Sequence, residues 1–408
     1  MEYLRSARPT TQKKEDALSV CNRREPESYP IIVHSHLQWD WVWQRPQQFI
    51  SRISRKHRVL FVEGPVPSEK VRVSAVTLRE VFSYPNIVVL QMRIPAERWQ
   101  NAAWVDKERR RMVQSVLAGP LGRSFESPVQ WFYDPMAVTA FAGHMNELAI
   151  VYDCMDELSL FRGAPPELVR RERELLAVAD VVFAGGPKMW RDKKALNSNC
   201  FCYGCGVDAK QFGRVRDPKL KIALDIVDLP RPRFGYIGVV DERIDYELIA
   251  ALADATTGSV AMVGPWTKVD PATFPTRTNL QWLGQRDYAQ LPSYAKGFDV
   301  CLMPFALNEA TRYINPTKAL EYMATGLPIV SSAIEDVVLQ FRDVVTIAAN
   351  RAEFIEACVR SAARPNPLRA AQGLKLARTN SWEAIVDKLE RHIDDAIQRN
   401  SPVAVSAA

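Results

Sequence analysis

Short apolar runs alternate along most of the chain with amphipathic stretches of helical period. In the first half, the strand-like runs are IIVHS, RVLFVE, NIVVLQM, PVQWFYDP, LAIVYDCMDEL and VVFAGG. Helix-like stretches separate them, among them RPQQFISRIS, WVDKERRRMVQSVLAG and ELVRRERELLAVAD. Strands that alternate with helices predict a parallel, doubly wound sheet that is covered by helices.

A polar, proline-containing segment interrupts this series, and a second series follows it with RFGYIGVV, SVAMVGP, NLQWLG, DVCLMPF and LPIVSS. At 408 residues the chain is long enough for two cores. The predicted fold class is therefore α/β, with two sheets in tandem and a ligand cleft beyond the carboxyl ends of their strands. The predicted boundaries are a flexible tail at 1–28, a first domain at 29–212, a linker at 213–230, a second domain at 231–385, and a C-terminal helix and tail at 386–408, for which the pattern leaves open a return to the first domain.

Residues 308–332, NEATRYINPTKALEYMATGLPIVSS, predict a polar loop, a short helix and a buried strand. Pro316 favours a helix that starts at or just after it, and Gly326 with Pro328 ends that helix. A loop that delivers backbone amides to a helix N-terminus can bind an anion. Glu321 adds a carboxylate from the same helix. The stretch therefore predicts a site for a phosphate and a sugar hydroxyl.

Composition narrows the class of protein. A hydrophobic content of 47%, with 25% charged residues, is typical of a soluble globular protein. The net charge of +6 permits anionic ligands, but no basic stripe carries the interleaved aromatics that nucleic-acid binding would favour. No apolar run approaches the ~18 residues of a membrane span, and the seven cysteines are an odd number, which fits reduced thiols. We expect a cytoplasmic protein that is either free or peripheral at the inner membrane face.

Several motifs follow one another in the order in which one enzyme family has them. In the second half they are GYIGVVDERIDYELI, VGP, NLQWLGQRDYAQLPSYAKGFDVCLMPF and NPTKALEYMATGLPIVSS; in the first half they are SHLQWDWVWQRPQQF and VYDCMDELSLF. Together they resemble a GT-B glycosyltransferase, and more narrowly the retaining family 4 type of bacterial polysaccharide and cell-envelope assembly. The resemblance spans nearly the whole chain outside its N-terminal tail. It implies two Rossmann-like domains that face each other across a cleft.

The resemblance implies a donor site in the second half. In that family a Glu-x7-Glu motif holds the donor, and Glu321 matches the second glutamate, which bonds the nucleotide ribose. The first position of the motif falls on a tyrosine, so this chain departs from the family there. Contacts to the donor sugar are then expected mostly from backbone groups of Tyr313, Ile314, Asn315, Pro316 and Thr317.

Basic residues and glycines complete the implied donor site. Lys318 is within reach of the diphosphate, and Arg243 lies in the loop where the family carries a diphosphate-binding basic residue. Ordinary surface roles are the alternative for both. Gly238 is expected to let the backbone approach the phosphates, with Gly264 at the same rim. The base is expected at the loop of Gly284, Gln285 and Arg286.

The resemblance also implies an acceptor site in the first half. Asp153, Asp156 and Glu157 follow an apolar strand and face the cleft by topology. Asp156 best matches the acid or histidine that the family places near the reacting sugar, with a helix N-cap as the alternative. His36, Trp39, Trp43 and Arg45 crowd the first strand–helix junction. They suit a sugar acceptor with a phosphate or lipid phosphate nearby, and a tryptophan-packed helix start is the alternative.

The predicted function is transfer of a sugar, with retention, from a nucleotide-sugar donor, preferably a UDP-sugar, to a glycan or lipid-linked saccharide. Asp156, Arg243 and Lys318 are the predicted catalytic residues, and the protein mainly positions substrates and neutralises diphosphate charge. We predict no cofactor and no metal, because nothing resembles an Asp-x-Asp metal loop. A GT-B-shaped nucleotide-sugar 2-epimerase and a catalytically inactive sugar-nucleotide-binding protein remain as alternatives.

A basic helix raises a further expectation about a membrane. Residues 107–111 carry four basic side chains, and Trp104 lies near the start of the same helix. Such a face could rest on anionic lipid and bring the enzyme to a lipid-linked acceptor. A solvated charged face is the alternative.

Overall fold

The computed structural model of the protein describes residues 28–308, 311, 314 and 318–401. Residues 1–27 lie outside the described part, and so do four residues predicted to contact the donor sugar: Tyr313, Asn315, Pro316 and Thr317. Two separate sheets, each made almost entirely of parallel strands, organise the chain. The predicted α/β fold class is confirmed.

The first sheet contains the strand-like runs of the first half. Its strands are β1 (Ile31–Ser35), β2 (Val59–Glu63), β3 (Val66–Ser68), β4 (Ala75–Glu80), β5 (Ile87–Pro95), β6 (Val129–Phe132), β7 (Ala149–Cys154), β8 (Val181–Ala184) and β9 (Cys200–Cys202). They lie in the order β3-β5-β2-β1-β6-β7-β8-β9, and β4 pairs with β5 in antiparallel fashion. The order reverses between β1 and β6.

The second sheet contains the runs of the second half. Its strands are β10 (Arg233–Ile237), β11 (Ser259–Val263), β12 (Leu280–Gly284), β13 (Val300–Met303), β14 (Ile329–Ser332) and β15 (Thr346–Ala348). They lie in the order β12-β11-β10-β13-β14-β15, and all described pairs are parallel. Here the order reverses between β10 and β13.

Helices cover both sheets. They are α1 (Arg45–Ile53), α2 (Ala102–Leu117), α3 (Val138–Phe141), α4 (Leu168–Val178), α5 (Pro187–Lys194), α6 (Ala209–Gly213), α7 (Tyr246–Ala255), α8 (Leu291–Ala295), α9 (Lys318–Thr325), α10 (Glu335–Phe341), α11 (Arg351–Ala363), α12 (Pro367–Thr379) and α13 (Trp382–Asn400). Helix α9 follows Pro316 and stops before Gly326, as the punctuation of the sequence predicted. In the described part of the chain, no helix is both long and apolar enough to cross a membrane.

Hydrophobic patterning missed β3, β4, β15 and α12. Strands β3 and β4 are mostly exposed, so they lack the continuous apolar run of a buried strand. Helix α12 buries only Gly373 and Ala377, two small residues that leave little periodic signal. These elements lie at the edges of the two sheets or on their outer surface.

The chain crosses between its two halves at two neighbouring places. Val207 and Ser381 form an isolated parallel bridge, and the Val207 amide donates to the Asn380 carbonyl at 2.9 Å. After the second crossing, α13 packs an apolar face that begins with Trp382 into the core of the first sheet. The predicted linker, residues 213–230, contributes Val215 and Ile226 to the core of the second sheet.

Candidate active site

A cavity of about 390 Å³ opens between the two sheets. One wall is formed by the loop after β1 and the loop after β7. The other is formed by the ends of β10, β11 and β12 together with the start of α9. Both sheets therefore present carboxyl ends of strands close to the points where their strand order reverses, which is where ligands gather in open α/β sheets.

Two glycines shape the floor of the cavity at the ends of β10 and β11. Gly238 has a φ of 152° and Gly264 a φ of 149°, values that side-chain-bearing residues rarely adopt. The Gly238 amide donates to the Val263 carbonyl and the Gly264 amide to the Gly284 carbonyl, each at 2.8 Å. A Cβ at Gly264 would collide with the Gly238 carbonyl, and one at Gly238 would collide with Lys318. The missing side chain of Gly264 lets the ends of β10 and β11 approach each other, and that of Gly238 lets Lys318 lie across the floor.

Helix α9 supplies two charged groups to the cavity wall. Lys318 and Glu321 are three residues apart, so they share one helix face. The Tyr322 hydroxyl accepts a hydrogen bond from the Ile237 amide at 2.8 Å, which fixes the helix against β10. The Lys318 Nζ lies 5.6 Å from the centre of the Tyr236 ring. An ammonium and a carboxylate thus stand next to the glycine floor.

The environment shifts the titration of both groups on α9. Burial raises the pKa of Glu321 to about 7, and the nearby Lys318 charge opposes that shift. Burial also lowers the pKa of Lys318, with Glu321 opposing the shift and Arg243 adding to it. Among the described residues, the Glu321 carboxylate accepts no hydrogen bond. A desolvated carboxylate of this kind is stabilised by a ligand that donates hydrogen bonds, as a pair of ribose hydroxyls does.

Arg243 follows β10 and is held by the carboxylate of Asp241. Its Nε lies 2.9 and 3.0 Å from the two Asp241 oxygens, and one terminal nitrogen lies 2.7 Å from Oδ2. Asp241 is only 4% exposed, so a buried anion sets the direction of the guanidinium. Asp156 lies near enough across the cavity to interact electrostatically with Arg243. This geometry suits an anionic ligand placed between the two walls.

The loop predicted to contact the base lies at the rim. Gln285 and Arg286 line the cavity directly after β12. The Arg286 guanidinium donates to Asp225 at 2.9 Å and to the Tyr294 hydroxyl at 2.5 Å. Arg286 is thereby tied to its own domain, and Gln285 and the loop backbone are left to face a ligand. Ile314, from the predicted sugar-contacting stretch, is buried and also lines the cavity.

The three acidic residues at the end of β7 and directly after it lie in different positions relative to the cavity. In the described part of the chain, Asp156 lines the cavity, whereas Asp153 and Glu157 do not. Glu157 turns away to Lys193, with Nζ and Oε2 2.7 Å apart. The prediction that topology aims all three at the cleft is therefore too broad, because the chain turns directly after β7 and Glu157 is drawn to Lys193.

Arg45 and Asp153, predicted as acceptor contacts, form a buried ion pair. The Arg45 Nη2 lies 2.8 Å from Asp153 Oδ1, and the two side chains are 2% and 0% exposed. Arg45 also donates to the carbonyls of Tyr203 and Gly204, at 2.7 and 3.1 Å. The structure thus places Asp153 behind the wall and directs the donors of Arg45 to protein acceptors. Their contact with each other stabilises the junction of α1 and β7.

The tryptophan-rich junction is partly core and partly cavity wall. Trp39 is 4% exposed and packs edge-on against Phe61, with ring centres 5.2 Å apart. Trp43 stacks against Tyr84 and lines the cavity. The His36 Nδ1 donates to the Tyr133 carbonyl at 3.1 Å, and burial lowers the pKa of His36. Trp39 therefore combines the two interpretations, since it is packed in the core and also lines the cavity, whereas Trp43 is only half-buried at the same wall.

Sequence reasoning missed several residues of the site: Phe161, Asp241, Tyr288 and Trp382. Asp241 could have been found, because an acid two residues before a functional arginine is a natural partner for it. The others carried no local signal. Trp382 reaches the cavity only because α13 returns to the first sheet.

Comparison with known proteins gives both a family match and a fold. Residues 232–363 match the family model described as "Glycosyl transferases group 1". Over 102 residues the chain is 26% identical to TuaH of Bacillus subtilis (strain 168), a predicted glycosyltransferase of teichuronic acid biosynthesis. That match covers 24% of this chain and spans about a quarter of the relative, 26% of its length.

Solved structures resemble nearly the whole chain. The sucrose-phosphate synthase of Thermosynechococcus elongatus aligns with a TM-score of 0.65 at 16% identity, covering 91% of this chain and 100% of that one. A trehalose-phosphate synthase of Burkholderia xenovorans, in complex with glucose-6-phosphate, aligns with a TM-score of 0.65 at 14% identity, covering 90% and 100%. An E. coli structure described as trehalose-6-phosphate bound with UDP-2-fluoro glucose aligns with a TM-score of 0.62 at 13% identity, covering 90% and 99%. The chain therefore has the two-domain GT-B fold, and its residues 232–363 match the group 1 glycosyltransferases.

Proposed function

We propose that the protein is a glycosyltransferase that moves a sugar from a nucleotide-sugar donor to a glycan or lipid-linked saccharide, with retention at the transferred carbon. The observation that carries the proposal is the grouping of Gly238, Arg243, Lys318 and Glu321 around one cavity at the strand ends of the second sheet. Two cations, and a carboxylate that accepts no hydrogen bond from the described residues, lie beside strand ends without side chains, which suits a diphosphate and a ribose. All four residues lie within the segment that matches the group 1 family.

In this proposal the second domain binds the donor and stabilises the leaving group. Glu321 accepts hydrogen bonds from the ribose, while Lys318 and Arg243 neutralise charge that grows on the diphosphate as the sugar departs. Asp156 faces Arg243 from the first domain, next to the reacting carbon. A phosphate oxygen of the donor takes the acceptor's proton on the face from which the leaving group departs. The proposed reaction needs no metal, and turnover that is unchanged in excess EDTA is the expected result.

The proteins to which the chain is similar support a choice of substrates. The E. coli structure binds UDP-2-fluoro glucose, which favours a UDP-sugar as the donor. TuaH is assigned to teichuronic acid biosynthesis, which favours a growing glycan as the acceptor. The Burkholderia enzyme binds glucose-6-phosphate. Here, however, Arg45 on the acceptor wall is already paired with Asp153, so we propose a saccharide acceptor that is not recognised through a phosphate at Arg45.

Calorimetric titration with UDP, GDP and ADP tests the donor site. Glu321→Ala should weaken binding of the preferred nucleotide by about 10- to 100-fold, because it removes a charge-assisted acceptor from the ribose. Glu356→Ala is the matched control, since Glu356 is an exposed glutamate that pairs with Arg360 on the surface of α11. Equal affinity of wild-type protein and Glu321→Ala would contradict the assignment. Product analysis with the preferred nucleotide's sugars then distinguishes transfer from epimerisation.

A cytoplasmic location, with peripheral contact to an anionic membrane, is also a proposal. Two of the four basic side chains on helix α2 have protein partners. Arg109 is buried against Asp134, and Arg110 donates to the carbonyls of Thr139 and Ala140. Within the described part of the chain, Lys107 makes no ion pair, and the exposed Arg111 pairs with Glu108 beside it. These two are the basic side chains of the helix that we propose for contact with lipid. Pelleting with anionic vesicles in low salt should recover the protein, and the double variant Lys107→Ala/Arg111→Ala should recover less.

A further inference from the structure

A buried cluster of charged side chains lies beneath the loop that carries Asp156. Lys193, on α5, is only 5% exposed. Its Nζ lies 2.7 Å from Glu157 Oε2 and 2.7 Å from Glu172 Oε1. The Tyr152 hydroxyl donates to the same Glu172 oxygen at 2.7 Å. One ammonium therefore connects helices α4 and α5, strand β7 and the loop that follows β7.

Burying a lysine is unfavourable unless carboxylates compensate it, and here two do so. Burial by itself lowers the pKa of Lys193, but Glu172 and Glu157 are among the neighbours that outweigh burial and raise it overall. The Lys193 side chain is thus protonated at neutral pH. Glu172 alone would be sufficient to neutralise it. The second carboxylate, Glu157, is the part of the cluster that belongs to the cavity loop.

The near end of this loop is directed by the contact with Lys193. The Glu157 carboxylate is held from below by Lys193 and accepts a second hydrogen bond from the Ser159 hydroxyl at 2.8 Å. The Leu158 amide donates to the Asp156 carbonyl at 3.1 Å, which tightens the turn. With Glu157 pulled inward, the preceding side chain, Asp156, faces the cavity.

The far end of the loop touches the second domain beside its diphosphate-binding arginine. The Arg162 amide donates to Glu242 Oε1 at 3.0 Å. The centre of the Phe161 ring lies 5.3 Å from the Arg243 guanidinium carbon and 4.7 Å from the Lys268 Nζ, distances at which cations and aromatic faces attract. Residues 155–162 therefore form a strap, tied at one end to Lys193 and at the other to the neighbourhood of Arg243.

We propose that Lys193 is a positioning residue for sugar transfer. By holding Glu157 it sets the strap, and the strap sets both the Asp156 carboxylate and the Phe161 face against Arg243. The inference rests on the proposed function, since Asp156 and Arg243 act on the donor there. Lys193 itself touches no substrate.

Four single variants test the proposal. Lys193→Met keeps the length of the side chain and removes its charge, and Glu157→Gln breaks the same contact from the partly exposed side of the cluster. Lys194→Met is the matched control, because its ammonium lies over the Trp190 ring, 5.0 Å from the ring centre, and outside the cluster. Lys193→Arg keeps the charge and should restore part of the lost activity. Should Lys193→Met fail to fold, Glu157→Gln carries the test.

We expect the variants of the cluster to lower turnover while nucleotide binding stays nearly unchanged. Lys193→Met and Glu157→Gln should each lower kcat by about 10- to 100-fold, the effect of a displacement of about 1 Å at a reacting centre. Nucleotide affinity should stay within about threefold, because the groups that bind it lie in the other domain. The double variant should be no worse than either single variant, since both break one contact. Lys194→Met should match wild type.

Three results would overturn the proposal: wild-type kcat in Glu157→Gln, additive losses in the double variant, or nucleotide affinity that falls in parallel with kcat. Hydrogen exchange of residues 155–162 gives a readout that does not need turnover, and it should quicken in Lys193→Met and Glu157→Gln but not in Lys194→Met. If the wild-type protein turns over no nucleotide sugar, the proposed function fails. If hydrogen exchange of residues 155–162 is unchanged in Lys193→Met and Glu157→Gln, the proposed role of Lys193 in holding the strap is wrong, whatever the turnover.

Discussion

The two walls of the cavity use charge in opposite ways. On the wall of the first domain, Arg45 pairs with Asp153 and Lys193 pairs with Glu157, all of them protein contacts beneath or behind the surface. On the wall of the second domain, Lys318 and Glu321 stand at the surface of the cavity, and both have pKa values shifted by burial. Buried pairs neutralise Arg45 and Lys193 within the first domain, whereas Lys318 and Glu321 face the cavity and are proposed to meet a ligand. Arg243 shares both features, because it lines the cavity and pairs with Asp241.

The difference has a simple physical origin. A desolvated charge must find a partner, and on the first wall that partner is another side chain. On the second wall the nearest compensation for Glu321 is an ammonium without a hydrogen bond between them, so part of the desolvation penalty stays in the unliganded protein. In the proposed function, a donor nucleotide supplies the hydroxyls and phosphates that would remove that penalty. The following variants test the contrast, from the largest expected effect to the smallest.

Asp153→Asn should give the largest effect, and it should be on stability. The change leaves the Arg45 guanidinium buried without its counter-ion, which costs about 3–5 kcal/mol in the free energy of unfolding of the first domain. Urea denaturation followed by tryptophan fluorescence measures it. Glu174→Gln is the control: it breaks an exposed pair with Arg170 and should cost at most about 0.5 kcal/mol. A small loss in Asp153→Asn would mean that the first wall is not built on this pair.

Arg243→Ala should affect turnover on the second wall. Removing a charge that stabilises the leaving diphosphate should lower kcat by about 100-fold. Nucleotide affinity should fall less, because the ground state carries less charge at that position. Arg277→Ala is the control, since Arg277 pairs with Asp254 on the exposed surface. Steady-state kinetics with the preferred donor, together with calorimetry, separates the two effects, and a wild-type kcat would refute the phosphate role.

Glu321→Gln should give the smallest effect, on stability, and the effect should depend on pH. The pKa of Glu321 is about 7 in the folded protein, above the ~4.3 of an unfolded chain. The folded state then binds more protons between these values, so wild-type stability falls as the pH rises through that window. Glutamine stays neutral. The difference in thermal midpoint, Glu321→Gln minus wild type, should therefore be more positive at pH 8 than at pH 4. Nucleotide binding by this variant should still be weaker than in wild type. A pH-independent difference would contradict a raised pKa of Glu321 in the folded protein.

Much of the donor wall could be predicted from local sequence. Lys318 and Glu321 sit on one short helix whose ends are marked by Pro316 and Gly326, so their shared face follows from helical spacing. Gly238 follows an apolar strand, where the absence of a side chain indicates close approach of backbone. These features depend on residues near one another in the chain.

The acceptor wall could not be predicted in the same way. Arg45 and Asp153 are 108 residues apart, and nothing in either segment indicates that they meet in the core. Glu157 and Asp156 are neighbours with the same chemistry, and the partner that draws Glu157 away from the cavity, Lys193, lies on a helix far along the chain. Trp382 reaches the wall because α13 crosses back to the first sheet.

The amino-acid sequence by itself determined the α/β class, the two parallel sheets and the strand ends where the donor groups lie. The reason is that hydrophobic period, helix punctuation and the geometry of parallel strands all act locally. Only the tertiary structure decided which charged groups neutralise each other and which remain for a ligand. Pairing depends on distances of a few ångströms between elements far apart in the chain. Burial sets how unfavourable each charge is when it has no partner.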